Sequence, residues 1–382
     1  MKGLAVSLLV LASRASSFAP RAHAGRRPSD SHRIALSDTP EENLSFGSEP
    51  LNGSPRGKTP PFSENPEYPT HDNAVLHTLD LSLSSYASEL IQMTRPLNLP
   101  VVFLMHMLGV YLVLEQARLR GMYWSVLLSD PSSWIALAAP ILVAASSMVV
   151  NDYFDAKFGR DPDGYLASGR VPVAVVKRFC TVLYALAAID LAFLPSLPAR
   201  LLVLVAFFST YAYTIYLKPM TWIKNLVCAL IIGATPLVSA WTTSELLGFR
   251  VFHPSLWRLV GGFILGIAGR EVMMDCDDID DDRRSGVRTI PVVYGKRFAT
   301  RVALIATASS GFLFSIGPLL QLLTNGPSVC AVRRLALACA GSAVLLRGAW
   351  NVFHTEGNDS SMIASALGTG LLANIPVLLS FV

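Results

Sequence analysis

Two acid-rich clusters contain the side chains best suited to chemistry in this chain. One spans residues 151–155 and the other spans residues 275–282, and each follows an apolar run long enough to cross a bilayer. A carboxylate in or near hydrocarbon costs about 2.5 to 3.5 kcal/mol even on lenient insertion scales. Two clusters of such groups therefore predict a compensating cation or a water-filled cavity, and a divalent metal is the simplest compensating group.

Spacing within the second cluster indicates which carboxylates act together. Asp275, Asp278 and Asp282 stand at positions i, i+3 and i+7, which places them on one face of a continuous helix. Two carboxylates about 4 Å apart repel by roughly 4 kcal/mol at an effective dielectric of 20, so the array favours a bound cation. Mg²⁺ prefers oxygen ligands and bridges to substrate phosphates. Asp277 points away from this face, and we expect it to be solvated.

The first cluster forms a second oxygen-rich edge. Asn151 and Asp155 are four residues apart, and Asp152 and Asp155 are three apart. If the two edges face each other, Mg²⁺ ions between them would hold a diphosphate. The metal ligands expected from both clusters are Asn151, Asp152, Asp155, Asp275, Asp278 and Asp282.

The composition indicates a membrane protein built from helices. Hydrophobic residues make up 52% of the chain and charged residues only 15%, which excludes an ordinary soluble domain. Because no run of Arg and Lys is interleaved with aromatic residues, we expect no nucleic-acid partner. We predict an all-α, polytopic membrane helix bundle with about nine transmembrane helices. The expected spans are Leu97–Glu115, Trp134–Val150, Ala174–Leu194, Arg200–Tyr216, Trp222–Trp241, Leu256–Met274, Thr300–Leu322, Val329–Trp350 and Met362–Val382.

Alternating spans would bring distant polar residues to one membrane face. The second and sixth spans, which end at the two clusters, share that face with Arg95 at the start of the first span. The connection between the fourth and fifth spans, residues 211–225, lies there too. Loops on this face contain more Lys and Arg than loops on the other face, which predicts a cytoplasmic or stromal orientation.

The N-terminal region has the pattern of a targeting sequence. Lys2, a short apolar stretch and the segment Ala15–Pro20 precede a basic, acid-poor region. This arrangement resembles the bipartite presequence of complex plastids, with a plain secretory signal as the alternative. We predict a signal and transit presequence over residues 1–33, a disordered linker over residues 34–85 and the membrane domain over residues 86–382. The expected location is the plastid (chloroplast) membrane, with the clusters towards the stroma.

The motifs resemble those of the UbiA superfamily of intramembrane prenyltransferases. The first family motif, Asn-Asp-x-x-Asp-x-x-x-Asp, matches residues 151–155, and Gly159 stands in place of its last aspartate. The second, Asp-x-x-Asp-x-x-x-Asp, is matched completely over residues 275–282. The Arg-Pro-x-Asn opening at Arg95 is also similar, and the resemblance covers residues 95–382.

The resemblance implies a chemical function. The protein would transfer a polyprenyl group from a prenyl diphosphate, geranylgeranyl or phytyl diphosphate, to an acceptor within the membrane and release diphosphate. Mg²⁺ would be the cofactor, because it neutralises charge on the departing oxygens. The catalytic residues implied on the same face are Tyr213, Tyr216 and Lys218. The diphosphate-binding residues implied there are Arg95, Asn98, Lys218, Lys224 and Arg270.

Several alternatives stay open at this point. The expected acceptor is an aromatic quinone precursor. The alternative acceptor is chlorophyllide, which is a chlorin, or another lipid. Asp161 is the candidate substitute for the aspartate that Gly159 replaces. A cation-coupled transporter is the alternative of a different class, but transporter acids usually lie at mid-bilayer on broken helices, whereas these clusters lie at the ends of spans.

Overall fold

The regular structure of this protein is helical wherever it is described. The computed structural model describes residues 83–158, 164–248 and 253–382, and it contains no strand within these ranges. The presequence and all but the last three residues of the expected linker lie outside the described residues, as do Gly159 and Asp161. The division into these segments therefore stays a prediction.

Fourteen α-helices make up the described part of the chain. The first seven are α1 (Ala87–Met93), α2 (Leu99–Gln116), α3 (Tyr123–Ser129), α4 (Pro131–Lys157), α5 (Val173–Phe193), α6 (Leu197–Ala212) and α7 (Thr221–Gly233). The remaining seven are α8 (Thr235–Leu246), α9 (Pro254–Asp277), α10 (Ile279–Arg284), α11 (Ile290–Tyr294), α12 (Lys296–Asn325), α13 (Val329–His354) and α14 (Ser360–Leu379).

The nine predicted spans all fall on long helical segments. By length and hydropathy, seven segments in the described ranges qualify as membrane spans: α2, α4, α6 with its extension to Leu217, α7 with α8, α12, α13 and α14. The remaining two predicted spans are helices α5 and α9, of 21 and 24 residues. The all-helical membrane fold is thereby confirmed, and the count of nine crossings stays a prediction.

Close helix packing fixes the direction of α9, which leads to the second cluster. A Cβ atom on Gly262 would lie 2.2 Å from the ring of Phe314, and one on Gly269 would lie 2.9 Å from the hydroxyl of Thr307. Only a residue without a side chain fits at these two points, so α9 and α12 approach closely. Ser310 adds a hydrogen bond across the contact, donating to the carbonyl of Gly262 at 2.7 Å.

A π-helical turn comes after α6 and leads to the loop of the candidate site. It spans Tyr213–Leu217, and the backbone N–H of Lys218 donates to the carbonyl of Tyr213 at 2.7 Å, five residues earlier. The extra residue in the turn rotates the next part of the chain relative to a regular α-helix, and such turns are frequent at functional sites. From the sequence, Tyr213 and Lys218 were expected in a polar loop, and this turn was not predicted.

Candidate active site at one end of the bundle

The first cluster is organised around the carboxylate of Asp155. Asn151, one turn earlier on α4, donates from Nδ2 to Asp155 Oδ2 at 2.8 Å. Lys218 Nζ lies 2.6 and 2.7 Å from the two carboxylate oxygens, and both side chains are largely buried, at 16% and 12% exposure. The lysine therefore neutralises a carboxylate that would otherwise face a region of low dielectric.

Asp152 makes a more open ion pair on the same helix end. Arg95 Nη2 lies 3.3 Å from Asp152 Oδ1, and the arginine side chain is 50% exposed. The backbone of Arg95 has φ of 52°, in the left-handed region that residues other than glycine seldom adopt. This conformation precedes the 3₁₀ turn Pro96–Asn98 that starts α2, and it sets the direction in which Arg95 enters the site.

The second cluster begins with a buried carboxylate that two side chains satisfy. Asp275 is 2% exposed; Lys224 Nζ lies 2.5 Å from its Oδ1, and Asn225 Nδ2 donates to its Oδ2 at 2.9 Å. Both partners lie within the first five residues of α7. Asn225 was not among the expected site residues. The only sequence signal for it was an amide directly after a lysine in a polar loop, which is not specific.

The prediction of one continuous helical face with three carboxylates is wrong. Helix α9 ends at Asp277, the chain bends at Asp278, and α10 begins at Ile279. Negative charge is unfavourable at the C-terminus of a helix and favourable at the N-terminus. The break therefore moves Asp282 from the end of one helix into the first turn of another.

The structure brings the two clusters together. Lys218, which holds Asp155 of the first cluster, also interacts electrostatically with Asp282 of the second. Lys224 interacts with Asp282 in addition to Asp275. Tyr213 is close enough to interact with both Asp155 and Asp275. The π-turn and the start of α7 thus lie between the two acidic edges.

The other expected site residues are less enclosed. Tyr216 is 65% exposed, in contrast to the half-buried Tyr213. Arg270 is paired with Glu271 at 2.7 Å, and its side chain is 48% exposed. Asn98 is exposed at the start of α2. These positions make Tyr213 and Lys218 better placed than Tyr216 for contact with a bound substrate.

The donor atoms of the site fit a hard divalent ion that arrives with a phosphate ligand. Across the described ranges, no three His, Cys, Asp or Glu side chains are grouped closely enough to hold a metal ion by themselves. However, Mg²⁺ is commonly held by one or two carboxylates together with substrate phosphates and water. Two buried oxygens in the site, Oδ1 of Asn225 and Oδ2 of Asp282, have no hydrogen-bond partner among the described residues. A bound cation would satisfy the carboxylate oxygen of Asp282.

Protonation of the second cluster should make metal binding dependent on pH. Asp278 is partly open to solvent, yet the protein around its carboxyl and the neighbouring Asp282 raise its pKa to about 6. Burial also raises the pKa of Asp282. Because a ligand must lose its proton to bind metal, protonation of Asp278 alone should lower the apparent affinity for Mg²⁺ by about tenfold per pH unit below pH 6. Titration of Mg²⁺-dependent activity between pH 5 and 8 measures this, and an unchanged Mg²⁺ requirement at pH 5 would contradict it.

Comparison with known proteins identifies relatives over more than half of the chain. The model of the UbiA prenyltransferase family matches residues 121–362. Digeranylgeranylglyceryl phosphate synthase of Thermococcus gammatolerans is 28% identical over 231 residues, which cover 58% of this chain and 76% of the relative.

Solved structures share the fold at lower identity. One, of digeranylgeranylglyceryl phosphate synthase in membranes, has a TM-score of 0.56 and 19% identity and covers 78% of this chain and 97% of its own. Another, a UbiA homologue from Archaeoglobus fulgidus bound to DMAPP and Mg²⁺, has a TM-score of 0.51 and 15% identity and covers 77% and 98%.

Proposed function

Because the chain belongs to the UbiA prenyltransferase family, we propose that the two acidic clusters bind the diphosphate of a prenyl donor through Mg²⁺. The protein is a multi-pass membrane prenyltransferase. The observation that carries the proposed site is the convergence of Lys218 and Lys224, from one short segment, on carboxylates of both clusters. Geranylgeranyl and phytyl diphosphate are the proposed donors.

The proposed metal ligands are those expected from the sequence: Asn151, Asp152, Asp155, Asp275, Asp278 and Asp282. Mg²⁺ bound there would neutralise the charge that develops on the oxygens of the departing diphosphate. Its binding by a relative of the same fold supports the proposal, since the Archaeoglobus fulgidus homologue was solved with DMAPP and Mg²⁺.

Lysine side chains of the site would contribute charge stabilisation of their own. Lys218 and Lys224 neutralise Asp155 and Asp275 in this structure. With Mg²⁺ bound to the carboxylates, the ammonium groups of Lys218 and Lys224 would be free to donate to the diphosphate oxygens, as would Arg95 at the rim. Donors aimed at developing negative charge in a site that excludes water are worth far more than in solution.

The prenyl group is then transferred from the diphosphate to the acceptor. The bond between C1 of the allylic chain and the diphosphate oxygen breaks, and its electron pair leaves with the diphosphate. The acceptor forms a new bond to C1 and loses a proton. Tyr213 lies between the clusters, where its ring can face the positive charge on the allyl group.

The acceptor we propose first is a prenylated glycerol phosphate, whose free hydroxyl would attack C1. This choice rests on the name of the Thermococcus gammatolerans relative, digeranylgeranylglyceryl phosphate synthase, and it corresponds to the lipid alternative considered from the sequence. An aromatic quinone precursor is the second candidate acceptor. It is retained because the presequence-like N-terminus favours a plastid location. Chlorophyllide is a further candidate acceptor in that compartment.

An acceptor assay with purified full-length protein tests this proposal. Radiolabelled geranylgeranyl diphosphate and Mg²⁺ would be supplied with geranylgeranylglyceryl phosphate, with homogentisate or dihydroxynaphthoate, or with chlorophyllide. We expect labelled lipid product and an equal amount of diphosphate with the glycerol phosphate acceptor, and none after addition of EDTA. Product with an aromatic acceptor alone would replace the first choice by the second. Failure to release diphosphate with any acceptor would contradict the enzymatic proposal and favour transport.

A further inference from the structure

A polar cavity lies at the end of the bundle opposite the acidic clusters. It has a volume of about 380 Å³, and the start of α9, the last turns of α12 and the start of α13 form its walls. Arg258 and Asp275 are both on α9 and 17 residues apart, so roughly 26 Å separates the cavity from the candidate active site at a rise of 1.5 Å per residue. The cavity is therefore a separate site.

Arg258 is built into one wall of this cavity. A Cβ atom on Gly317 would lie 2.4 Å from Cζ of Arg258, so the guanidinium rests against helix α12 where a side chain is missing. Its Nη2 donates to Ser255 Oγ at 2.7 Å. Its Nε is buried and has no hydrogen-bond partner among the described residues. The wall thus holds a cation that is fixed in position.

A second arginine, on α13, completes the cationic part of the cavity. Arg334 Nη2 lies 3.2 Å from Glu115 Oε1 and donates to the carbonyl of Val382 at 3.1 Å. The side chains of Arg334 and Glu115 are only 14% and 12% exposed. The Nε of Arg334 is likewise buried without a partner in the described ranges. Arg258, Arg334 and Glu115 thus all line this cavity.

His253 supplies a neutral donor beside them. It caps the N-terminus of α9, where its Nδ1 accepts the backbone N–H of Ser255 at 3.2 Å. Since Nδ1 accepts, we assign the ring proton to Nε2, which is left to donate. Burial lowers the pKa of His253, in agreement with a neutral ring. The side chains of Gln321 and Asn325 on α12 add amide donors to the lining.

We propose that this cavity binds a phosphate group, either the headgroup phosphate of an anionic phospholipid in the leaflet opposite the active site or a soluble phosphate. Two guanidinium forks match the several oxygens of phosphate, which arginine binds through paired hydrogen bonds. The buried rings of Phe314 and Phe381 form the apolar part of the cavity lining. The proposal does not depend on the prenyl acceptor or on the metal site.

Ligand-induced thermal stabilisation of the full-length protein in a neutral detergent tests the proposal. The probes are inorganic phosphate and a short-chain phosphatidylglycerol. Each is titrated in the presence of EDTA, so that no metal occupies the candidate active site. Short-chain phosphatidylcholine, which has no net charge, is the lipid control. We expect a saturable rise in the melting temperature with phosphatidylglycerol, and with phosphate as well if the headgroup alone suffices. No saturable rise with either anion would overturn the proposal.

Variants locate the binding. Arg258→Met keeps the stem of the side chain, and we expect it to weaken the apparent affinity by about tenfold or more through loss of a charged hydrogen bond. Arg333→Met is the matched control, because Arg333 is exposed next to Arg334 on the same helix, and its affinity should equal that of the wild type. Equal weakening by both variants would indicate general surface charge and overturn the proposal.

A further variant, Gly317→Ala, keeps the charge of Arg258 but displaces its guanidinium group. Gly317→Ala places a methyl group where the guanidinium of Arg258 now rests, so we expect it to weaken binding while the chain retains every cation. Circular dichroism and gel filtration verify the fold of each variant. Wild-type affinity in folded Arg258→Met and Gly317→Ala proteins would reject the cavity as the site.

Discussion

Replacement of Asp278 by asparagine is expected to reduce kcat/KM for prenyl transfer by at least about 10³-fold, because a metal that stabilises a leaving group supplies several kcal/mol. Asp278 is exposed at the bend between α9 and α10, so the substitution removes a proposed metal ligand without disturbing a buried contact. Membrane insertion should therefore remain that of the wild type. The thermal stability of the metal-free protein at neutral pH should not fall, because the raised pKa of Asp278 means that its charged form is unfavourable in the folded protein. Release of labelled diphosphate at saturating Mg²⁺ measures the effect.

The adjacent residue provides the matched control for this substitution. Asp277 is also exposed, and it lies one position earlier, at the end of α9. Its position in the sequence predicts a solvated side chain, so Asp277→Asn should retain activity within about twofold, as is usual for a surface change. Similar losses in both variants would show that general negative charge at this end of the bundle matters and would reject the specific ligand assignment.

Replacement of Lys224 by methionine is expected to destabilise the metal-free protein by about 3 kcal/mol, the usual cost of leaving one partner of a buried ion pair uncompensated. Asp275 is 2% exposed and would retain only the hydrogen bond from Asn225. Mg²⁺ would supply the missing positive charge, so the variant should gain more thermal stability from added Mg²⁺ than the wild type does. Melting temperatures with EDTA and with a Mg²⁺ series measure both effects.

An exposed ion pair at the same end of the bundle is the control for that variant. Arg297 lies 3.4 Å from Glu356, and their side chains are 68% and 50% exposed. Such pairs contribute about 0 to 1 kcal/mol, so Arg297→Met should change the melting temperature little, with or without Mg²⁺. If Mg²⁺ stabilised the Lys224→Met and wild-type proteins equally, Asp275 would not belong to a metal site.

The positions of the long helices could be predicted from the sequence because apolar runs of membrane length report directly on burial in lipid. Each expected span falls on a helix, and the alternation of spans correctly brought Asp155 and Asp275 to the same end of the bundle. The break at Asp278 was missed because the i, i+3, i+7 pattern assumes a continuous helix. That assumption ignores the unfavourable charge of a carboxylate series at the C-terminus of α9.

Tertiary contacts account for the features that sequence patterns left out. No characteristic residue pattern marks the π-turn before Lys218 in the sequence. Asn225 belongs to the site only because α7 places its amide against Asp275. Lys218 and Lys224 were expected to bind diphosphate, whereas they neutralise carboxylates in this structure. A buried carboxylate requires a partner in every state of the protein. The sequence motif describes the site with metal and diphosphate bound, so it does not reveal which side chains pair with the carboxylates when the site is empty.

The most direct test of the central claim is a structure of the protein with Mg²⁺ and geranylgeranyl thiodiphosphate, an analogue that resists cleavage. We predict that the diphosphate lies between the ends of α4 and α9, with Mg²⁺ joining it to Asp155 and Asp278. Lys218 and Lys224 should then contact diphosphate oxygens in place of their present carboxylate partners. A diphosphate bound elsewhere, or both lysines still paired with Asp155 and Asp275 beside a bound analogue, would contradict the account.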